Sequence, residues 1–285
     1  KCAVCRWWSQ CDEKRRQDDH LGLIAGIRRR QVLELESHDV RTMAGYSAMP
    51  SPLPEPMRIH GVESSFTRVH QQAIIQVKGR AHDRPIWELR EVEDRKGLNL
   101  LPKPDPGDVY FDIEGDRFHD EGGMEYLFGT AYRDSQADEG VAYHAFWGLS
   151  RAEEKDAFDR WIQLVGNRRA LHPDLHVYHF SPYEPAAVKR LAMKHRLHED
   201  LVDDWLRNGV FVDLARVLRE SVRTSLEGFS LKDYEQLTGF ERNTPLDDAA
   251  AARFAMSCAF DFGDLSNLPD EQSRLLENYN MEDCV

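Results

Sequence analysis

Asp112 and Glu114 stand one residue apart in Asp108-Val109-Tyr110-Phe111-Asp112-Ile113-Glu114-Gly115, an otherwise apolar, strand-forming run that ends on glycine. The side-chain period of a strand is two, so both carboxylates point to one face, a few ångströms apart. Like charges at that spacing beside a buried run are costly unless a cation lies between them, and a divalent metal held by carboxylate oxygens is the usual solution. For an isolated D-x-E the competing reading is an exposed edge strand with two solvated acids. Acids elsewhere in the chain shift that balance. Glu184, in Ser181-Pro182-Tyr183-Glu184, falls near the start of a helix expected over Pro185–Leu197. Tyr279 and Asp283 are four residues apart near the end of the chain and share a face of a terminal helix. Taken singly, each has an ordinary role: an acid in a first turn answers the helix dipole, and Y-x3-D is a core tyrosine beside a solvated acid. Asp213 is a rival acid, but its place before a helix expected at Leu214–Ser221 makes it an N-cap.

Cys2, Cys5 and Cys11 form a second cluster, C-x2-C-x5-C. The chain has five cysteines, an odd count that does not suit a disulfide framework. Closely spaced thiolates suit a soft metal centre instead, either zinc or an iron–sulfur cluster. Either normally takes four ligands; His20 or a cysteine upstream of Lys1 would complete the set. Cys258 and Cys284 fall in helical segments and read as ordinary core or boundary cysteines. Leu21–Ile27, then Arg28, Arg29 and Arg30, then Val32–Leu35 and Asp39–Ala44 read as two short helices around a turn, in a pattern like a helix-hairpin-helix unit. Such a unit would offer non-specific phosphate contacts. A small bundle with a solvated charged face fits the same pattern equally well.

These residues need elements to hold them. Pro50, Pro52, Pro54 and Pro56 make a linker that closes a first region at 1–50. Val69, Ala73, Ile74 and Val77 recur at helical spacing, so 59–80 is expected as an amphipathic helix within a connector spanning 51–106. A shorter piece begins at Trp87, and the proline-rich stretch at 100–107 leads into the Asp112 strand. From 107 to 285, strands are expected at 108–114, 126–132 and 141–147, joined by short turns as in an antiparallel meander. A helix at 151–166, a strand at 175–180 and a predominantly helical remainder follow. This is an α/β pattern, and three strands, a helix, a strand and helices is the order of a ribonuclease-H-like fold.

Composition sets bounds. At 41% hydrophobic and 31% charged, the 285 residues are ordinary for a globular protein. No run approaches the ~18 apolar residues of a membrane span and no leader resembles a signal peptide, so a cytoplasmic protein with no membrane partner is expected. A net charge of -13 argues against a broad basic surface that coats nucleic acid, although it is compatible with an acidic nuclease centre. Residues 1–42 carry nine lysines and arginines against seven acids, making that end the more phosphate-facing one.

The strings DVYFDIEGD, EYLFG, VYHFSPYEPAAVKRL, FVDLARVL, GFSLKDYEQLTGF and NYNMEDC resemble the YprB-like ribonuclease-H-fold domain of RecB-like nucleases. The cysteine triplet with Trp7 and Trp8 resembles the carboxy-terminal iron–sulfur motif of the same group, whose fourth cysteine lies far upstream, before a separate nuclease core. The resemblance covers nearly the whole chain. It implies a DEDD exonuclease of the tyrosine branch: Asp112, Glu114, Glu184 and Asp283 would hold two Mg2+ or Mn2+ ions ~4 Å apart, and Tyr279 would orient the attacking water. It also implies a single-stranded DNA or RNA substrate with a 3′ end, and an upstream nuclease domain or a helicase as partner. Lys232 would touch substrate phosphate or serve as a solvated helix lysine. One departure matters: most DEDD enzymes carry Asp at the second motif, and Glu184 is one methylene longer. Either the backbone absorbs the difference, or the metal site is weakened and a catalytically silent nucleic-acid-binding module remains. An endonuclease on the same fold is a third reading.

Overall fold

The computed structural model describes residues 5–50, 63–120, 122–137, 140–265 and 268–285, so Cys2 lies outside the described residues. In chain order, helices α1 (Trp8–Gln17), α2 (Arg29–Ser37), α3 (Met43–Ser47) and α4 (Glu63–Gly79) lead to strand β1 (Trp87–Leu89). Strands β2 (Val109–Asp116), β3 (Met124–Arg133) and β4 (Val141–Trp147) come next, then α5 (Arg151–Leu171), β5 (Val177–His179), α6 (Tyr183–His195) and α7 (Glu199–Arg207). The chain continues through β6 (Phe211–Asp213), α8 (Leu214–Ser221), β7 (Val222–Thr224), α9 (Leu231–Thr238), α10 (Leu246–Phe262) and α11 (Asp270–Cys284). Residues 1–92 and 219–240 form one unit, and residues 93–218 and 241–285 form the other.

The second unit is built on a mixed sheet of order β4-β3-β2-β5-β6. The β2–β3 and β3–β4 pairs are antiparallel, as the short turns between them predict, and the β2–β5 and β5–β6 pairs are parallel. β2 is therefore an interior strand, which removes the edge-strand reading of Asp112 and Glu114. β6 extends the sheet inside a region expected to be helical; three residues are too few to show a strand period. Along β2, Val109, Phe111 and Ile113 are buried on one face against Phe158, Trp161, Ile162 and Val165 of α5 and Val188 and Leu191 of α6. Phe111 stacks on Trp161 at 4.1 Å between ring centroids, and the Trp161 indole donates to Thr130 Oγ1 at 2.9 Å. On the other face of the sheet, Met124 and Tyr126 of β3 pack with Met256 and Phe260 of α10 and Leu276 of α11.

A buried polar group locks the end of this sheet to its helices. Glu154, fully buried in the first turn of α5, accepts from the backbone N–H of Glu125 at 2.8 Å and from Lys194 at 2.7 Å, and its Oε2 lies 2.8 Å from His195 Nε2. Burial pushes the Glu154 carboxyl up, but the hydrogen bonds from Lys194, the Glu125 amide and His195 outweigh it and hold the group below its ordinary value. Burial also lowers the His195 imidazole, against the pull of Glu154.

In the first unit, Leu21, Leu35, Met43 and Tyr46 from the short helical segments close on Phe66, Val69 and Ala73 of α4. Thr42 caps α3 by accepting from Gly45 N at 2.9 Å, and Tyr46 OH donates to Phe66 O at 2.9 Å. α4 lies within the helix expected at 59–80, of which 59–62, like Pro52, Pro54 and Pro56 of the expected linker, lie outside the described residues. β1 pairs antiparallel with β7, Trp87 opposite Thr224. Gln72 of α4 donates to Thr224 O at 2.9 Å and fixes that pair against the helix. No helix among the described residues is long and apolar enough to cross a membrane.

Candidate metal-binding active site

Asp112, Glu114 and Asp283 converge: each offers a carboxylate oxygen, and these oxygens all lie within 4.8 Å of one another. Strand period places Asp112 and Glu114 on the face of β2 opposite the Phe111 core, and that face meets α11. Leu276, Asn280 and Cys284 form an i, i+4, i+8 row that is buried along α11, and Tyr279 and Asp283 form the adjoining row. Asn280 ties helix to strand. Its Nδ2 donates to Asp112 Oδ2 at 2.8 Å, and its Oδ1 accepts from Tyr143 OH at 2.8 Å.

Such an approach needs a bare strand. Gly129 pairs with Asp112 across β2–β3, and a Cβ there would lie 1.5 Å from Asn280 Oδ1. The Cys284 thiol points to Gly129 O at 3.6 Å. Burial first, then Asp112 and Asp283, push this thiol well above the ordinary cysteine value, so it stays protonated and inert.

Two arginines with no signature in the sequence complete the surroundings. Arg242 ion-pairs with Asp283, and its Nη1 lies 3.7 Å from Glu282 Oε2. Glu282 in turn accepts from the backbone N–H groups of Asn243 and Thr244 at 2.7 and 3.2 Å. Arg253 of α10 lies 4.0 Å from Glu114 Oε2 and donates to Tyr279 OH at 3.4 Å. Both guanidinium groups also stand over the buried Tyr279 ring, Arg242 at 5.2 Å and Arg253 at 5.0 Å from its centroid.

Glu184 is outside the group of three acids. It is buried in the first turn of α6, where Ser181 Oγ donates to its Oε2 at 3.2 Å and His179 Nδ1 lies 3.4 Å from the same oxygen. Ser181, at φ 149°, directs the chain from β5 into α6. Next to Glu184, Tyr183 donates to Glu125 at 2.9 Å, and burial with that carboxylate pushes its phenol up to about 12. Tyr183, Glu125, Arg117 and Arg190 line a cleft of about 360 Å³. Asp213 accepts from Arg216 N at 3.1 Å, as a helix cap does, and is not part of the acidic group.

The remaining candidates lie in the first unit. Cys5 and Cys11 are exposed and free. His20 Nδ1 accepts from Gly22 N at 2.8 Å. Arg28, Arg29 and Arg30 are exposed at the start of α2, and Lys232 lies in the first turn of α9.

A family model described as the RNase_H superfamily matches residues 109–285, well over half of the chain. The chain belongs to this superfamily, a membership that points to a hydrolase with a nucleic-acid substrate. No curated protein and no solved structure matches it. The donor set fits a hard divalent cation: three carboxylates, no thiolate or imidazole among them, with oxygens close enough to share one ion.

Proposed function

We propose that this chain is a metal-dependent 3′–5′ exonuclease of the DEDDy type, acting on single-stranded DNA or RNA. The convergence of Asp112, Glu114 and Asp283 beside a buried Tyr279 on one face of α11 and β2 carries the reading. Asp112, Glu114 and Asp283 would hold Mg2+ or Mn2+, with Glu184 as a fourth carboxylate from α6. Bound there, the ions supply a water of lowered pKa and a counter-charge for the departing 3′ oxygen.

The chain's own groups do the positioning. Asn280 holds Asp112, and Arg242 holds Asp283, so two of the acids are oriented before any ion arrives. Tyr279, whose hydroxyl accepts from the same Arg253 that lies 4.0 Å from Glu114, would orient the attacking water. A neutral phenol is a weak base, so its role is orientation. The exposed arginines 28–30 are proposed as sequence-independent phosphate contacts on the first unit, with Lys232 as a further one. Cys2, Cys5 and Cys11 are proposed as part of an iron–sulfur or zinc site completed by a further ligand, in a chain that works with an upstream nuclease domain or a helicase.

Single strands labelled at the 5′ end, incubated with Mg2+ or Mn2+, are expected to shorten stepwise from the 3′ end, and circular strands to survive. No shortening with either metal on either nucleic acid overturns the proposal. The separation of Glu184 from the other three acids favours one alternative, a silent binding module. That reading requires strand binding that persists in Asp112→Ala with no metal-dependent cleavage in the unsubstituted chain.

A further inference from the structure

Arg253 meets this site through long contacts and stands over the Tyr279 ring, 5.0 Å from its centroid. Its side chain is 42% exposed. Glu114 at 4.0 Å and Tyr279 OH at 3.4 Å are both long contacts for a guanidinium that normally forms bonds of ~2.7–2.9 Å to a carboxylate. Arg242 differs: its side chain is 8% exposed and pairs tightly with Asp283. The two arginines therefore divide the work. Arg242 is a buried strut, and Arg253 is a solvent-facing cation held at the mouth of an acidic group by loose contacts.

We infer that Arg253 is a substrate-contacting catalytic residue that binds a non-bridging oxygen of the scissile phosphodiester. The inference rests on the nuclease reading above and names a group that this reading does not use. Three converging carboxylates repel a phosphate, and a cation beside them whose ion pair with Glu114 is long and solvent-facing offsets part of that repulsion. A planar guanidinium with several donors matches two phosphate oxygens at once. During hydrolysis the water oxygen bonds to phosphorus while the P–O3′ bond breaks, and the departing 3′ oxygen takes up a proton. Arg253 keeps its own protons throughout and stabilises the added negative charge on the phosphorus oxygens. Tyr279, which accepts from Arg253, holds the guanidinium within reach of the phosphate and the water together.

The test combines binding and turnover on the full chain. Single strands carrying either a normal diester or a neutral methylphosphonate at the 3′-terminal linkage are titrated by fluorescence anisotropy with Ca2+ present, using the unsubstituted chain, Arg253→Gln and Arg253→Lys. The unsubstituted chain is expected to prefer the charged linkage by about tenfold more than Arg253→Gln does, with Arg253→Lys between them. With Mn2+, Arg253→Ala is expected to lose about 100-fold in kcat, and added guanidinium ion to restore part of it. Equal discrimination by all three proteins, or full turnover in Arg253→Ala, overturns the inference. A loss of turnover without guanidinium rescue and with a lowered melting temperature assigns Arg253 a structural role and overturns it as well. Failure of the unsubstituted chain to cleave with Mn2+ strikes the nuclease reading itself, and so is told apart.

Discussion

Asn280 does at the scale of one residue what the proposed metal site needs, because it fixes Asp112, a side chain that strand geometry alone would leave free to rotate. Its amide bridges Tyr143 and Asp112 in a fully buried position. Asn280→Ala removes both bonds while leaving every carboxylate in place. It is expected to weaken Mn2+ binding by about 10- to 100-fold, as loss of a group supporting a metal ligand does, measured by calorimetric titration. Unchanged affinity would show that Asp112 is oriented by something else. Glu154 illustrates a buried charge of purely structural use. Its folded value lies below the unfolded reference of 4.5, so its contribution is present above that pH and fades as pH falls through the folded value. Glu154→Gln is expected to cost about 3 kcal/mol near pH 7, because Lys194 loses its buried partner. The cost should shrink as pH falls below 4.5 toward the folded value, followed by urea denaturation; a cost that stays constant on acidification contradicts this reading.

At the scale of the element, the site exists because a helix lies directly on a sheet. Gly129 permits that approach, and Asn280 Oδ1, the atom an added Cβ would meet, is pinned by Tyr143 and cannot swing aside. Gly129→Ala is expected to destabilise the fold by about 2 kcal/mol and to move Asp283 away from Asp112 and Glu114. Lower thermal stability together with lost Mn2+ binding would bear this out, whereas normal stability and binding would show that α11 can shift without harm. β2 and α11 were also the most legible elements. D-x-E on an apolar run fixes a shared face through the period of two, and Y-x3-D fixes one through the helical turn. Other features left little trace: β6 and β7 are three-residue strands inside a region that reads as helical, and β1, of the same length, reads only as a short piece beginning at Trp87. Arg242 and Arg253 reach the site from the loop before α10 and from α10 itself, where nothing in the local sequence distinguishes them from solvated arginines. Gly129 was unreadable too, since its meaning depends on a helix some 150 residues later in the chain.

The whole molecule is less simply ordered than its chain. Residues 219–240 leave the second unit and complete the first, where β7 pairs with β1 and Gln72 of α4 binds Thr224. A cut before residue 107, the boundary that the proline-rich stretch suggests, strands this segment without β1 and α4. A fragment of residues 107–285 is therefore expected to expose the unpaired edge of β7 and the otherwise buried Leu226, and to aggregate or melt below the full chain. Size-exclusion chromatography and thermal melting decide this, and a monomeric fragment as stable as the full chain would contradict it. The superfamily match to residues 109–285 spans this segment, so a family boundary drawn along the chain need not be a folding boundary.

The central claim is that Asp112, Glu114 and Asp283 form a metal centre, and a crystal of the protein soaked with Mn2+ tests it most directly through anomalous scattering. Manganese peaks bound by carboxylate oxygens of all three residues are the expected result, with Glu184 turned toward the same ions. A map with no manganese there, and with Arg242, Asn280 and Arg253 still on their present partners, would contradict it.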